Sequence, residues 1–285
     1  MILESKLTLG TVQFGLDYGI TNKSGQVTIN QARDILDYAK QNNIKTLDTA
    51  PLYGNSEKIL GEIGVGDYQI ITKTTPLKND VGEVIDNFYK SLESLNRDQV
   101  EGLLIHNIND IENKQFDTLF EKLNTLKERN LIKKIGFSTY TPQQVDFLLS
   151  NFDFDLIQVP FNVFDTRLVD SGLLQALNNK GIEIHARSVF LQGLLLDFDS
   201  LGGYFSGWEN KFNDYRKMVK DSGLSLLEYA LNFALNVKEI DKVLVGVSNN
   251  KQLLEIFEAS QKRVDNLLLP FSIDNINLLN PSLWK

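Results

Sequence analysis

The chain has 285 residues, with 29 Lys and Arg against 37 Asp and Glu, a formal charge of −8, and 42% apolar residues. Usage this close to the globular average excludes a disordered chain, and the acidic, evenly mixed charge excludes a Lys/Arg stripe for nucleic acid. With no cysteine and only two histidines, His106 and His185, it has no disulfides, thiolate metal sites or cysteine nucleophile, and a zinc site built on several imidazoles is untenable.

Glu4 stands in the opening stretch MILESKLTLG, where a signal peptide needs a basic end. No run approaches the roughly 18 apolar residues of a membrane span. A cytoplasmic protein with no membrane partner is therefore expected.

Taken in order, LTLGTVQF predicts the first strand. Ile29, Ala32, Ile35, Leu36 and Ala39 then keep helical spacing up to Asn42-Asn43. IKTLDTA predicts the second strand, followed by a short helix that Ser56 is placed to cap. YQIITK and VEGLLIH predict strands three and four, each with an amphipathic helix after it. KKIGFS is strand five, with a helix over 142–149, and FDLIQVP is strand six, with a helix over 170–180. IEIHARS is strand seven, followed by helices over 209–221 and 225–236. KVLVGVS is strand eight, followed by a helix over 250–261.

Eight strand-helix units in this length predict an α/β fold, a (β/α)8 TIM barrel forming a single domain over 1–285. A doubly wound sheet would want a GxGxxG turn after strand one, and Gly10, Gly15 and Gly19 do not make one. The long connection from about 193 to 209, holding Gly202, Gly203, Gly207 and Trp208, has the length of a binding lid.

In such a barrel, chemistry gathers where strands end. Strand two ends in Asp48, with Tyr53 five residues on. Strand three ends in Lys73 and strand four in His106. Strand five ends in Ser138 and Thr139. Strand six carries Gln158, strand seven Arg187 and Ser188, and strand eight Gly246 and Ser248.

Singly, these residues read as an ion pair, a half-buried phenol and a core histidine. Together, at three successive strand ends on one rim, they point to proton transfer. Asp48 would hold Lys73, and the ammonium would lower the Tyr53 pKa from its usual value of roughly 10. The phenol could then act as a general acid, with His106 donating a hydrogen bond to the substrate oxygen. His185, mid-strand and without an acidic neighbour in sequence, reads as structural.

The segment LDTAPLYGNSEKILGE, with ITK and LLIHN, resembles the Asp–Tyr, lysine and histidine segments of the aldo-keto reductases. IGFST, IQVPFN, ARSVFLQGLL and VGVSNNKQLLEI resemble that family's later cofactor-binding strands. The resemblance implies a barrel that binds NADP(H) in extended form and transfers hydride to a carbonyl carbon. It makes Asp48, Tyr53, Lys73 and His106 the catalytic residues.

It also implies that Ser138 and Gln158 hold the nicotinamide carboxamide, that Thr139 is a cofactor residue standing where many members have Asn, and that Arg187 stacks on the ring. Ser188, Phe190, Leu191 and Gln192 would lie along the pyrophosphate. Gly10 and Thr11 also fall among the cofactor contacts. Gly246, Ser248, Lys251, Gln252 and Glu255 match the adenosine end. There the usual cations are replaced by Gly246 and Gln252. Lys251 and a helix N-terminus near 250 leave NADP(H) favoured, with NAD(H) usable.

Substrate contacts are expected from Phe14, Leu52, Asn107 and Trp208, with Leu16, Tyr18, Phe161 and Asn162 nearby. They suit a modest carbonyl compound, sugar-like in one reading. A monomer or small homo-oligomer is expected. Two other functions fit the same residues: a nucleotide-binding regulatory subunit resembling potassium-channel beta subunits, and a barrel lyase or hydrolase with a Schiff base on Lys73.

Overall fold

A computed structural model describes residues 5–78, 80–199, 202–262, 264, 273 and 275–284; Glu4 lies outside them. Eight parallel strands close into a barrel in chain order. They are β1 (Leu7–Gly10), β2 (Thr46–Asp48), β3 (Gln69–Lys73), β4 (Val100–Ile105), β5 (Ile132–Ser138), β6 (Leu156–Pro160), β7 (Glu183–Arg187) and β8 (Lys242–Gly246). β1 closes on β8, with Gly10 opposite Gly246.

Alternation along each strand sends one set of side chains outward under the helices and the other inward. The outward set, including Leu9, Leu47, Ile70, Leu103, Phe137, Ile157 and Val245, joins the main core. Inside, Ile71, Leu104 and Leu156 form a separate, fully buried apolar cluster. Glycines make room for it. A Cβ on Gly102 would lie 2.9 Å from Ile71 Cδ1, and one on Gly136 would lie 2.7 Å from Leu104 Cδ2.

At the opposite end of the barrel from the strand C-termini, Lys134 bonds Glu183 at 2.6 Å and Glu101 at 3.0 Å. Glu183 also lies 2.7 Å from His185 Nε2. So His185 does have an acidic partner, two residues earlier on the same strand face.

Three helices open with a capping box, at Thr28, Thr141 and Ser225. Four expectations shift. The first strand stops at Gly10, and Val12–Gly15 makes a helical turn that begins with Phe14 N–H on Thr11 O. Ser56 caps nothing. Asn55 precedes the helix, and the Ser56 hydroxyl reaches the Thr11 carbonyl at 2.9 Å instead.

The helix over 170–180 is two segments, Arg167–Asp170 and Leu173–Asn179, separated at Gly172 with φ 74°. In the connection after β7, Gly203–Trp208 is a 3-10 turn docked on the C-terminal segment. There Phe205 packs edge-on to Trp284 at 5.0 Å, and Tyr204 donates to Asn277 O. No helix among the described residues is long and apolar enough to cross a membrane.

Candidate active site at the strand C-termini

β2 and β3 place Asp48 beside Ile71, so Lys73 projects from one step farther along the barrel interior. Its ammonium returns to Asp48 Oδ1 at 2.6 Å and to Thr49 O at 2.9 Å. The other Asp48 oxygen accepts from Gln158 Nε2 at 2.8 Å. Both charged side chains are 1% exposed. Burial pulls the Lys73 pKa down, but Asp48 and Tyr53 outweigh it and the net direction is upward. Lys73 is a held cation, whereas a Schiff-base lysine needs a depressed pKa.

Tyr53 is delivered by a tight loop. Its N–H bonds Ala50 O, and Gly54 adopts φ 58°. Gly15 packs so closely that a Cβ there would lie 1.7 Å from Tyr53 O. The Lys73 ammonium stands 4.8 Å from the Tyr53 ring centroid, and the His106 ring meets Tyr53 edge-on at 6.0 Å.

The expected lowering of the Tyr53 pKa is not the net outcome. Burial raises it more than Lys73 lowers it, so Tyr53 stays a protonated phenol at neutral pH. His106 is lowered to about 4, first by burial and then by Lys73. Its Nδ1 is buried without a hydrogen-bond partner. The imidazole is therefore neutral and is a donor through one nitrogen only.

Asp48, Tyr53 and His106 line a cavity of ≈ 540 Å³, and Lys73, which does not line it, is buried against Asp48. The cavity passes Gly10, Thr11, Ser138 and Gln158, then Arg187, Ser188, Phe190 and Gln192. Gly246, Ser248, Gln252 and Glu255 line it as well. Three expected cofactor residues do not line it. Thr139 is fully buried beneath it, Leu191 is packed in the core, and Lys251 is 83% exposed on the outer helix face. Among those that do, Thr11 gives its hydroxyl to Asp48 O at 2.9 Å and so holds β1 to β2. The Arg187 guanidinium lies 4.3 Å from the Tyr140 ring centroid and donates to Thr139 O.

None of the four substrate candidates lines the cavity. Phe14 is fully buried in the core, and Leu52 is 49% exposed. Asn107 caps the Ile108–Glu112 turn and bonds Asp110, while Trp208 packs on Tyr204. Phe161 is core, stacked on Phe233, and Asn162 donates to Ser188 O.

Part of the wall comes instead from the loop after β1. There Tyr18, Gly19, Thr21 and Asn22 face the cavity, as do Gln13 and Tyr140 elsewhere on its lining. Of these, only Tyr18 was legible as a pocket residue. The glycines of that loop were the one sequence signal for the others.

The aldo/keto reductase family model matches residues 6–266. The chain is 26% identical to the uncharacterized oxidoreductase YqkF of Bacillus subtilis, over 90% of this chain and 92% of that protein. It is 29% identical to L-galactose dehydrogenase of Arabidopsis thaliana, over 74% and 72%. Its fold is similar to the holo form of aldo-keto reductase AKR11C1 from Bacillus halodurans, with TM-score 0.74, 20% identity, and 91% and 88% covered. A match spanning nearly the whole chain, over a closed eight-stranded barrel, means that the chain belongs to the aldo/keto reductase family.

Proposed function

We propose that the protein reduces an aldehyde or ketone by hydride transfer from NADPH or NADH, with Tyr53 as the general acid. The observation that carries this reading is the meeting of Tyr53, Lys73, Asp48 and His106, three of which line one cavity.

The lining fits a polar dinucleotide. Gln13 and His106 each hold a buried polar atom without a partner, which a ligand could satisfy. Gly246 leaves backbone bare where a Cβ would lie 2.7 Å from Gln13 Nε2. When bound, the nicotinamide supplies the hydride. Ser138 and the face of Arg187 turned away from Tyr140 are placed to position it, and Gln158 shares its amide between that role and Asp48.

Tyr53 gives its proton to the carbonyl oxygen. The phenolate left behind is stabilised by Lys73, which Asp48 and Gln158 keep charged and fixed. Neutral His106 donates a hydrogen bond to the same oxygen. The likeness to an L-galactose dehydrogenase supports a sugar-like substrate. The family resemblance favours NADPH, with NADH the second candidate. The setting proposed is a cytoplasmic monomer or small homo-oligomer, folded as one domain.

The test is oxidation of reduced nucleotide with a reactive aldehyde. Tyr53→Phe should cut turnover by about 10²–10⁴-fold while nucleotide binding persists. Full turnover in that variant overturns the reading.

A further inference from the structure

We propose that Ser56 is a positioning residue for proton transfer, its hydroxyl fixing the backbone that holds the Lys73 ammonium beside Tyr53. The inference rests on the reductase reading above and concerns a side chain that does not line the cavity.

Ser56 opens the helix Ser56–Ile63 and is fully buried, as are Thr11 and Thr49. Their three hydroxyls meet from three segments: the end of β1, the loop after β2 and the helix. Ser56 Oγ lies 2.8 Å from Thr11 Oγ1, 2.9 Å from Thr11 O and 3.3 Å from Thr49 Oγ1. Each hydroxyl has one proton to give. Thr11 gives its proton to Asp48 O at 2.9 Å, and a carbonyl only accepts. The Thr11 hydroxyl oxygen is therefore an acceptor toward Ser56. The Ser56 proton is spent on Thr11, so Thr49 is the donor in the remaining contact. The protons run one way, from Thr49 to Ser56 to Thr11 to Asp48, and every hydroxyl in the chain is satisfied.

Both ends of that chain frame the ion pair. Asp48 carries the carboxylate that takes one Lys73 ammonium proton at 2.6 Å, and Thr49 O takes a second at 2.9 Å. The third is left for the side of Tyr53, whose ring centroid is 4.8 Å from the nitrogen. Ser56 also donates its N–H to Tyr53 O at 3.1 Å. One serine thus ties the loop of the acid to the segment that aims the ammonium at it. A misplacement of about 1 Å in such a site costs on the order of a hundredfold in rate.

The test is steady-state reduction of nitrobenzaldehyde, with NADPH or NADH, in ordinary and in heavy water. Nucleotide affinity is measured separately by fluorescence. Ser56→Ala should lower kcat by about ten- to a hundredfold. KM and nucleotide affinity should stay within about twofold of wild type, because only the reacting geometry is disturbed. The solvent isotope effect on kcat should rise, because proton delivery becomes the slow step. Ser56→Thr keeps the hydroxyl and should return most of the rate. Thr49→Val, close in shape, breaks the neighbouring link and should also raise the isotope effect. An unchanged kcat in Ser56→Ala, or a loss of rate or stability with the isotope effect unmoved, makes Ser56 structural only and leaves the reductase reading standing. If Ser56→Ala does not fold, an unmoved isotope effect in Thr49→Val overturns the proposal instead. No turnover by the wild type with either nucleotide overturns both readings.

Discussion

The side-chain amide of Gln192 donates to the Tyr18 hydroxyl at 3.0 Å, joining loops 174 positions apart in the chain. Beside it, Gly193 holds φ 93°, and a Cβ there would lie 2.0 Å from Thr21 Oγ1. Ser248 meets Asn22 at 3.3 Å farther along the same seam. The loop after β1 thus straps the cavity to the segments after β7 and β8. Gly193→Ala should force the strap open, through both the clash and the backbone strain. The expected outcome is nucleotide dissociation several-fold faster in stopped-flow, with unfolding stability lowered by about 1–3 kcal/mol. An unaltered dissociation rate would show that the strap does not retain ligand.

Asp48→Asn removes the carboxylate charge that pairs with buried Lys73 at 2.6 Å. A buried charge left alone costs about 3–5 kcal/mol. Urea unfolding at pH 7 should show a loss of that size. Adding Lys73→Met should restore most of it, because no charge then remains uncompensated. Both variants should be inactive, which separates the stability of the pair from its use.

His106, with its pKa lowered from 6.5 to about 4, binds no proton in the folded state over most of that interval, while the unfolded chain does. Stability tied to His106 is complete above about pH 6.5 and declines as pH falls toward 4. Its imidazole signals in NMR, assigned with His106→Asn, should titrate near pH 4. A midpoint near 6.5 would show that burial does not control the ring.

Burial alone would raise the Glu183 pKa, yet bonds from His185 and Lys134 outweigh it and bring the group to about 2. A depressed carboxyl stabilises the fold above its unfolded pKa of about 4.5, and the contribution disappears as pH drops toward 2. Glu183→Gln should therefore be less stable than wild type at pH 7 and should approach it near pH 2. Urea unfolding across that range measures this directly. A constant gap would mean that Glu183 contributes through packing alone.

The rim was legible because Asp48, Lys73 and His106 each close an apolar strand, and strand ends are countable in sequence. Those three needed only that count and Tyr53 its spacing to Asp48 in the loop that follows, and the geometry brings all four together. The Tyr53 pKa was misjudged because sequence reveals the neighbouring ammonium but not how much water is removed around the phenol. Glu183 was missed although period-two alternation places it on the same face as His185.

Thr139 is buried and Tyr140, which had no expected role, lines the cavity, because a side chain just past a strand can turn either way. In this chain the tyrosine supports Arg187. Phe14 and Trp208 were aromatic residues in loops, and such rings are as easily drawn into the core as left facing a ligand. The loop after β1 has no regular pattern to read. Its place over the cavity follows from contacts that cross the whole chain.

Ile71, Leu104 and Leu156 are a floor only one storey thick beneath the Asp48–Lys73 ion pair, wedged against bare glycine backbone on β4 and β5. Such a floor has nowhere to sink. A methyl group added at Gly136 would meet Leu156 O at 2.0 Å and Leu104 Cδ2 at 2.7 Å, so backbone and core would both have to shift. New substrate preferences in this scaffold should therefore arise by remodelling its loops, with the barrel's inner tiles left as they are.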